Sequence, residues 1–385
     1  MQEIPKVILG IDSSRAYGRG LLRGIAKFSR LNGPWTFYSE PGFQGKNIVG
    51  LNNWKANGII TQFTDPKIIK EIMPHKIPTI AVVVNQQIEG LPNIIGDWEK
   101  EGQMAADYLI NKGFTKFAFC GFAKMQWSRD RGRGFRNRII QSDFEVFMYE
   151  HPWIRQRSWD KEQHLIISWL KTIPKPIAVM ACNDDRGRHV LEACKIAGLK
   201  VPEEVAVLGV DNDETVCDLT HPLLSSIDVD TEKAGYEAAE LLQELMLGKK
   251  ATKDRIIVQP KTIVTRQSTD IMAIQDADVI EAVRFIRQNA KEHLQVNDVT
   301  EAVAVSRRPL ERKFRKTLGR SIYEEVRRVR IEEIIQLLLE TDLSVFEIAS
   351  RLGFASIDHI SRFFRQERGL SPVNFRKQFS RAHQH

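Results

Sequence analysis

Two hydrophobic rhythms divide this chain. Over the first 270 residues, short continuous apolar runs alternate with helical patterns. The runs are Val7 to Ile11, Gly58 to Gln62, Thr79 to Val84, Phe117 to Cys120, Ile177 to Ala181 and Val205 to Val210, and the helical patterns include Leu21 to Phe28, Gly102 to Lys112 and Gly187 to Ala197. Continuous apolar strands separated by amphipathic helices predict parallel sheets covered on both faces. After RQSTD (Arg266 to Asp270) the pattern turns helical, opening with Asp278 to Asn289, whose apolar stripe is Val279, Val283 and Ile286. At 385 residues the chain exceeds what one hydrophobic core supports. The predicted organisation is therefore an α/β domain over residues 1–270 and an all-α domain over 276–385.

The helical part spells a helix-turn-helix twice, at about 296–317 (VNDVTEAVAVSRRPLERKFRKT) and 345–367 (VFEIASRLGFASIDHISRFFRQE). Each is an apolar helix, a tight turn, a Ser and a basic helix. Ser306 suits the N-cap of the first basic helix, and Pro309 is tolerated in its first turn because its missing N–H has no helical partner. Arg307 and Arg308 share the first turn, and Leu310 and Phe314, four apart, form the inward stripe, leaving Arg308, Glu311, Arg312 and Arg315 on other faces. Arg308 and Arg312 are placed to read guanine bidentately, and Lys313 and Lys316 to touch phosphate. In the second motif Ser356 caps a helix with Ile360, Phe363 and Phe364 inward and Asp358, His359, Ser361, Arg362 and Arg365 elsewhere. Between the motifs, Ser321 to Leu339 reads as one helix, about 28 Å long at ~1.5 Å per residue, near the ~34 Å that separates successive major grooves. One helix pair alone reads equally as a packing hairpin; two in tandem with arginines outward read as a clamp on double-stranded DNA.

Charge and composition sharpen this. Net charge is +7, and between Arg307 and Arg330 ten Arg or Lys face three acids, the footprint expected of a phosphate-contacting surface. With 42% hydrophobic residues the chain is expected to fold. Its four cysteines show no metal or disulfide spacing and are expected to be buried thiols. The start, MQEIPKVILGID, lacks the pattern of a signal peptide, and no apolar run reaches the ~18 residues of a membrane span, so a cytoplasmic location is expected. No G-x-S-x-G, Cys/His cluster or phosphate-binding loop occurs, so neither an enzyme nor a metal or cofactor is expected.

In parallel sheets, ligands bind at the carboxyl ends of strands. Polar residues recur there: Asp12 and Ser13 after the first strand, Asn183 and Asp184 in ACNDD, Asp211 in LGVDND. Each alone reads equally as a helix cap or Asx turn; their repetition suggests a cleft that pairs with the hydroxyls of a polyol. Trp127, near Arg131, is a candidate to stack on a sugar ring and reads as readily as a core tryptophan.

Four stretches resemble the effector-binding domain of the LacI/GalR regulators and their periplasmic sugar-binding relatives. They are Asn93 to Phe119, RGRGF (Arg131 to Phe135), Pro176 to Asp213 and His221 to Leu242. The resemblance implies two lobes joined by three crossover strands, with Arg131, Asp184 or Asn183, and Asp211 contacting ligand hydroxyls. That family places a DNA-binding segment ahead of the sensor; here the first strand begins within ten residues of Met1, so DNA binding is expected elsewhere.

The helical part resembles the AraC/XylS DNA-binding domain at Ser306, Leu310, Arg312, Phe314, Gly319 and Arg330, and again at Gly353, Phe354, Ser361, Arg362, Phe364, Arg365, Gly369, Ser371, Pro372, Phe375 and Arg376. It departs at packing positions: Thr300 and Ile334 for Ala, Ala304 for Gly, and Ile360 for Phe. The order of sensor first and AraC-type domain last resembles sugar-responsive operon regulators. This implies a homodimer that acts on RNA polymerase and answers to D-xylose, with another pentose, a hexose, a nucleobase or a plain solute receptor as alternatives.

Overall fold

In the computed structural model the apolar runs form the strands of two parallel sheets. The structure describes residues 4–39, 55–62, 73–151, 159–270, 276–292, 294–318 and 320–379, and the chain divides into two units, Met1–Ala273 and Ile274–His385. No helix among the described residues is long and apolar enough to cross a membrane.

The first unit begins with β1 (Lys6–Gly10), α1 (Ala16–Asn32), β2 (Thr36–Tyr38), β3 (Gly58–Gln62), β4 (Thr79–Val82) and β5 (Asn93–Gly96). The chain continues through α2 (Trp98–Asn111), β6 (Lys116–Phe122), α3 (Gln126–Gln141), β7 (Glu145–His151), α4 (Trp159–Thr172), β8 (Ile177–Ala181), α5 (Asp184–Ala197), β9 (Val205–Val210), α6 (Glu214–Asp218) and β10 (Ser225–Val229). It closes with α7 (Thr231–Met246), β11 (Arg255–Val258) and β12 (Pro260–Val264). One sheet runs β11-β5-β4-β3-β1-β2 and the other β12-β10-β9-β8-β6-β7. Among the described residues the strand pairings are parallel except β10 with β12.

Each sheet is one lobe, and the chain passes between them three times, after β5, β10 and β11. The passages lie side by side: Asp97 N–H donates to the Val258 carbonyl and Asp230 N–H to that of Gln259, each at 2.9 Å. Three crossing segments held side by side form the only chain links between the two lobes' sheets among the described residues.

Each lobe takes a helix from the chain entering it, so α2 packs on α3 and α7 on α1. Glycines allow the close approach. A Cβ on Gly102 would lie 2.1 Å from the Arg131 carbonyl oxygen, and one on Gly235 2.1 Å from that of Leu21. The four cysteines are free and buried. Burial pushes Cys120 and Cys194 up to about 12 and Cys182 to about 11, so they remain protonated.

The second unit holds α8 (Ala277–Gln288), α9 (Val296–Val303), α10 (Arg307–Leu318), α11 (Ile322–Glu340), α12 (Val345–Arg351), α13 (Ile357–Arg368) and α14 (Pro372–Phe379). Its starts are set by side chains that accept from free N–H groups: Asp276 caps α8, Ser356 caps α13, and Ser321–Glu324 and Ser344–Glu347 form reciprocal capping boxes. Val299, Leu310 and Phe314 of the first motif are buried, as is Ile322 at the start of α11. Ile334, Ile348, Ile360 and Phe364 share the core of the second. The first motif turns through Ala304 at φ 54°, where the family's usual Gly carries no Cβ penalty. Gly319 lies outside the described residues.

Candidate functional site

A cavity of about 140 Å³ opens at the carboxyl ends of the strands, lined by Tyr17 from α1, Gln62 from β3, Val83 and Val84 beyond β4, Trp98 from α2, Trp127 and Arg131 from α3, Asn183 at the start of α5 and Asp211 after β9. Both lobes contribute. Its organising group is Arg131, 3% exposed. Nε donates to Glu101 at 2.5 Å, Nη1 to the Cys182 carbonyl at 2.7 Å and Nη2 to Asp211 at 2.9 Å, while the guanidinium lies 5.3 Å from the Trp127 ring centroid.

Burial works against the charge of Arg131, but Glu101 and Asp211 outweigh it and raise its pKa, so the guanidinium stays cationic. Burial also raises Glu101, against the opposing pull of Arg131. Burial, then the Glu101 and Asp211 carboxylates, raise the Tyr17 phenol, which stays a hydroxyl donor. The cleft thus offers fixed donors and acceptors beside tryptophan rings, a set suited to a small neutral polyol.

Of the residues proposed from sequence, Trp127, Arg131, Asn183 and Asp211 meet at this cavity. Asn183 also caps α5, accepting from Arg186 N–H. Asp184 is 3% exposed and faces inward, accepting from Asp213 N–H at 2.7 Å and Ser226 Oγ at 2.5 Å. Burial, then the nearby Asp211 charge, raise its pKa well above the ordinary value. Asp12 closes a turn onto Ser14 N–H, and Ser13 is exposed; neither lines the cavity. Sequence reasoning missed Tyr17, Trp98 and Gln62. Gln62 could have been found, since it is a polar residue at the carboxyl end of a strand already read as apolar.

In the second unit, Arg307, Arg308, Arg312, Arg315 and Lys316 are exposed and have no ion pair among the described residues. The other five cations of the basic run are held inside the domain. Lys313 pairs with Asp276 at 3.1 Å and with Asp278, Arg320 and Arg328 meet Glu325 at 2.6 and 2.7 Å, and Arg327 meets Glu367 at 2.6 Å. Arg330, 7% exposed, donates to the carbonyls of Leu352, at 2.8 Å, and Glu292. Glu311 turns toward Ile322 N–H at 3.4 Å. On α13, Asp358, His359, Arg362 and Arg365 are exposed, and Asp358, Ser361, Arg362 and Arg365 line a shallow surface groove with Gln366.

A two-lobed sensor with a polar cleft, followed by two tandem helix-turn-helix motifs, defines a DNA-binding transcription regulator under ligand control. Residues 6–95 match the XylR N-terminal domain, 106–269 the periplasmic binding protein-like domain and 299–378 a helix-turn-helix domain. Over 379 residues the chain is 31% identical to the xylose operon regulatory protein of Haemophilus influenzae, covering 96% of this chain and 98% of that one. It is 28% identical to the protein of the same name from Escherichia coli, covering 96% of each.

The chain belongs to the xylose operon regulatory protein family, and is a transcription regulator rather than an enzyme. Among solved structures, that of a xylose-binding transcription activator superposes with a TM-score of 0.70 at 26% identity, covering 98% of this chain and 99% of that one. A complex of the transcriptional regulator CelR with cellobiose shares the sensor fold, at TM-score 0.56 and 21% identity over 70% of this chain and 86% of that one.

Proposed function

We propose that this protein is a cytoplasmic, homodimeric activator whose sensor, residues 1–270, binds D-xylose and whose domain over 276–385 binds tandem half-sites in double-stranded DNA and acts on RNA polymerase. The effector is supported by the names of relatives that span nearly the whole chain. The observation that carries the reading is the Arg131–Asp211 pair beside Trp127. A carboxylate and a guanidinium side by side can bond adjacent hydroxyls, and the indole can cover the apolar face of the ring. Asp12, Ser13 and Asp184 fall to supporting roles around these. Arg308 and Arg312 read bases, with Asp358, His359, Arg362 and Arg365 their counterparts on α13.

Sugar bound between the lobes favours the closed arrangement, which reorients the paired DNA-binding domains. Only a difference in sugar affinity between the two arrangements can drive this. Calorimetric titration with D-xylose, L-arabinose, D-ribose and D-glucose tests it, alongside Asp211→Asn, a residue that tolerates the φ of 97° there. Selective D-xylose heat, lost in the variant, is expected. Selective binding of another sugar transfers the reading to that ligand, and equal D-xylose affinity in DNA-bound and free protein sinks the mechanism.

A further inference from the structure

The start of α1 has no cap of its own. Arg15 occupies the N-cap position and makes no side-chain bond to the helix. The acceptor comes from the other lobe: Asp213 Oδ2 takes Ala16 N–H at 2.8 Å, while its Oδ1 pairs with Arg19 Nη2 at 2.7 Å. Asp213 stands at the N-cap of α6, yet its side chain makes no capping bond there. A buried aspartate has left its own helix to cap one across the cleft.

Three features tie this contact to the cleft. Asp213 lies two residues beyond the cavity-lining Asp211, on a turn whose φ angles are 97° at Asp211 and 45° at Asn212. Asp213 N–H is held by the buried Asp184, next to cavity-lining Asn183. On the other side, Arg19 Nη1 donates to the carbonyls of Ser13 and Ser14 at 3.2 and 3.0 Å, fixing the loop ahead of α1 and so of Tyr17. A second pair across the lobes, Arg15–Asp185 at 2.7 Å, is half exposed on the arginine side and contributes little.

We infer that Asp213 and Arg19 are positioning residues forming a clasp between the lobes, one that sets how strongly the sensor holds its effector. In the closed sensor Asp213 caps α1. In the opened one it swings back to cap α6, where an aspartate satisfies free N–H groups equally well. Each arrangement leaves one helix start capped, so the two differ modestly in energy. The inference rests on the cleft being the effector site, but the clasp itself is readable without any ligand.

The test places spin labels at Arg30→Cys on α1 and Lys195→Cys on α5, both exposed and on opposite lobes, in the full-length protein. Distance distributions are recorded with and without D-xylose for the parent, for Asp213→Ser and for Arg19→Gln. Serine still caps α6 but is too short to reach α1, so folding is preserved. Both variants are expected to shift the sugar-free distribution to longer distances and to weaken D-xylose binding by about tenfold, the scale of one charge-assisted hydrogen bond. Arg19→Lys is expected to restore part of each. Unchanged sugar-free distances in both variants overturn the clasp whatever the ligand. If D-xylose moves nothing and releases no heat in the parent, the effector assignment fails, while the sugar-free distances still decide the clasp.

Discussion

Arg131 in the cleft is 3% exposed and meets Glu101, Asp211 and the Cys182 carbonyl, whereas Arg312 on α10 is exposed and has no ion pair among the described residues. On the proposed function, the same side chain would serve recognition in both units under opposite conditions. A small neutral ligand offers only directional hydrogen bonds, so the group that meets it must be fixed beforehand, and fixing a cation inside the protein requires carboxylates to offset desolvation. DNA brings its own charge and releases counterions on binding, so its partner gains most by standing free in solvent.

The largest effect expected from this contrast is on folding. Arg131→Ala leaves Glu101 and Asp211 without their common partner, and removal of one side of a buried pair costs about 3–5 kcal/mol. Arg312→Ala breaks no ion pair or side-chain hydrogen bond among the described residues and is expected to stay within ~0.5 kcal/mol. Urea unfolding of the two variants measures both. Comparable losses would mean that Arg312 is embedded in the fold after all, and the contrast would fall.

The contrast also separates lysines that look alike in sequence. Lys316 is exposed without an ion pair, while Lys313 is held between Asp276 and Asp278, whose hydrogen bonds raise its pKa. Arg312→Ala is expected to weaken operator binding by ~1–3 kcal/mol and relax sequence preference, while Lys316→Ala lowers the salt slope of binding by about 1. Lys313→Ala should leave that slope unchanged. Fluorescence anisotropy on labelled operator across a salt series reads all three. An equal drop for both lysines would show Lys313 leaving its aspartates to join DNA.

What the sequence disclosed follows the same division. The six strands legible as apolar runs are β4, β3 and β1 in one sheet and β9, β8 and β6 in the other, each a contiguous inner block. Those strands are buried on both faces, so their composition alone marks them. Outer strands such as β2 and β12, neither with a fully buried residue, carry no such run. In the cleft, Arg131, Trp127, Asn183 and Asp211 were legible from strand ends and a family motif. Glu101 was not, because in WEKEG it looks like a solvated acid; it is 1% exposed because Gly102 brings α2 onto α3. Likewise ten cations within 24 residues read as one surface, yet five of them, Arg330 among them, hold the domain together. Charge is written in sequence, but whether a charge is already satisfied is decided by packing.

Backbone strain supplies the smallest and most discriminating test. Non-glycine residues have positive φ at a key turn of each unit: Asp211 at 97°, followed by Asn212 at 45°, in the sensor, and Ala304 at 54° in the first helix-turn-helix. Asp211 is held there by a side chain that bonds Arg131, so its strain serves the cleft. Ala304 is exposed, and its methyl gains nothing to offset the ~1–2 kcal/mol that an L-residue loses in the left-handed region. Against this, glycine gives the unfolded chain extra freedom worth ~0.4–1 kcal/mol. The difference favours Ala304→Gly by roughly 0.5 kcal/mol, or ~2–4 °C in the melting of a domain this size. Asp211→Gly relieves comparable strain but leaves Arg131 short of a partner, so it is expected to destabilise the sensor and abolish sugar binding. Differential scanning calorimetry of both variants gives opposite signs if strain in the sensor is functional and strain in the DNA-binding unit is incidental; a loss of stability in Ala304→Gly would mean that the alanine methyl is needed in that turn.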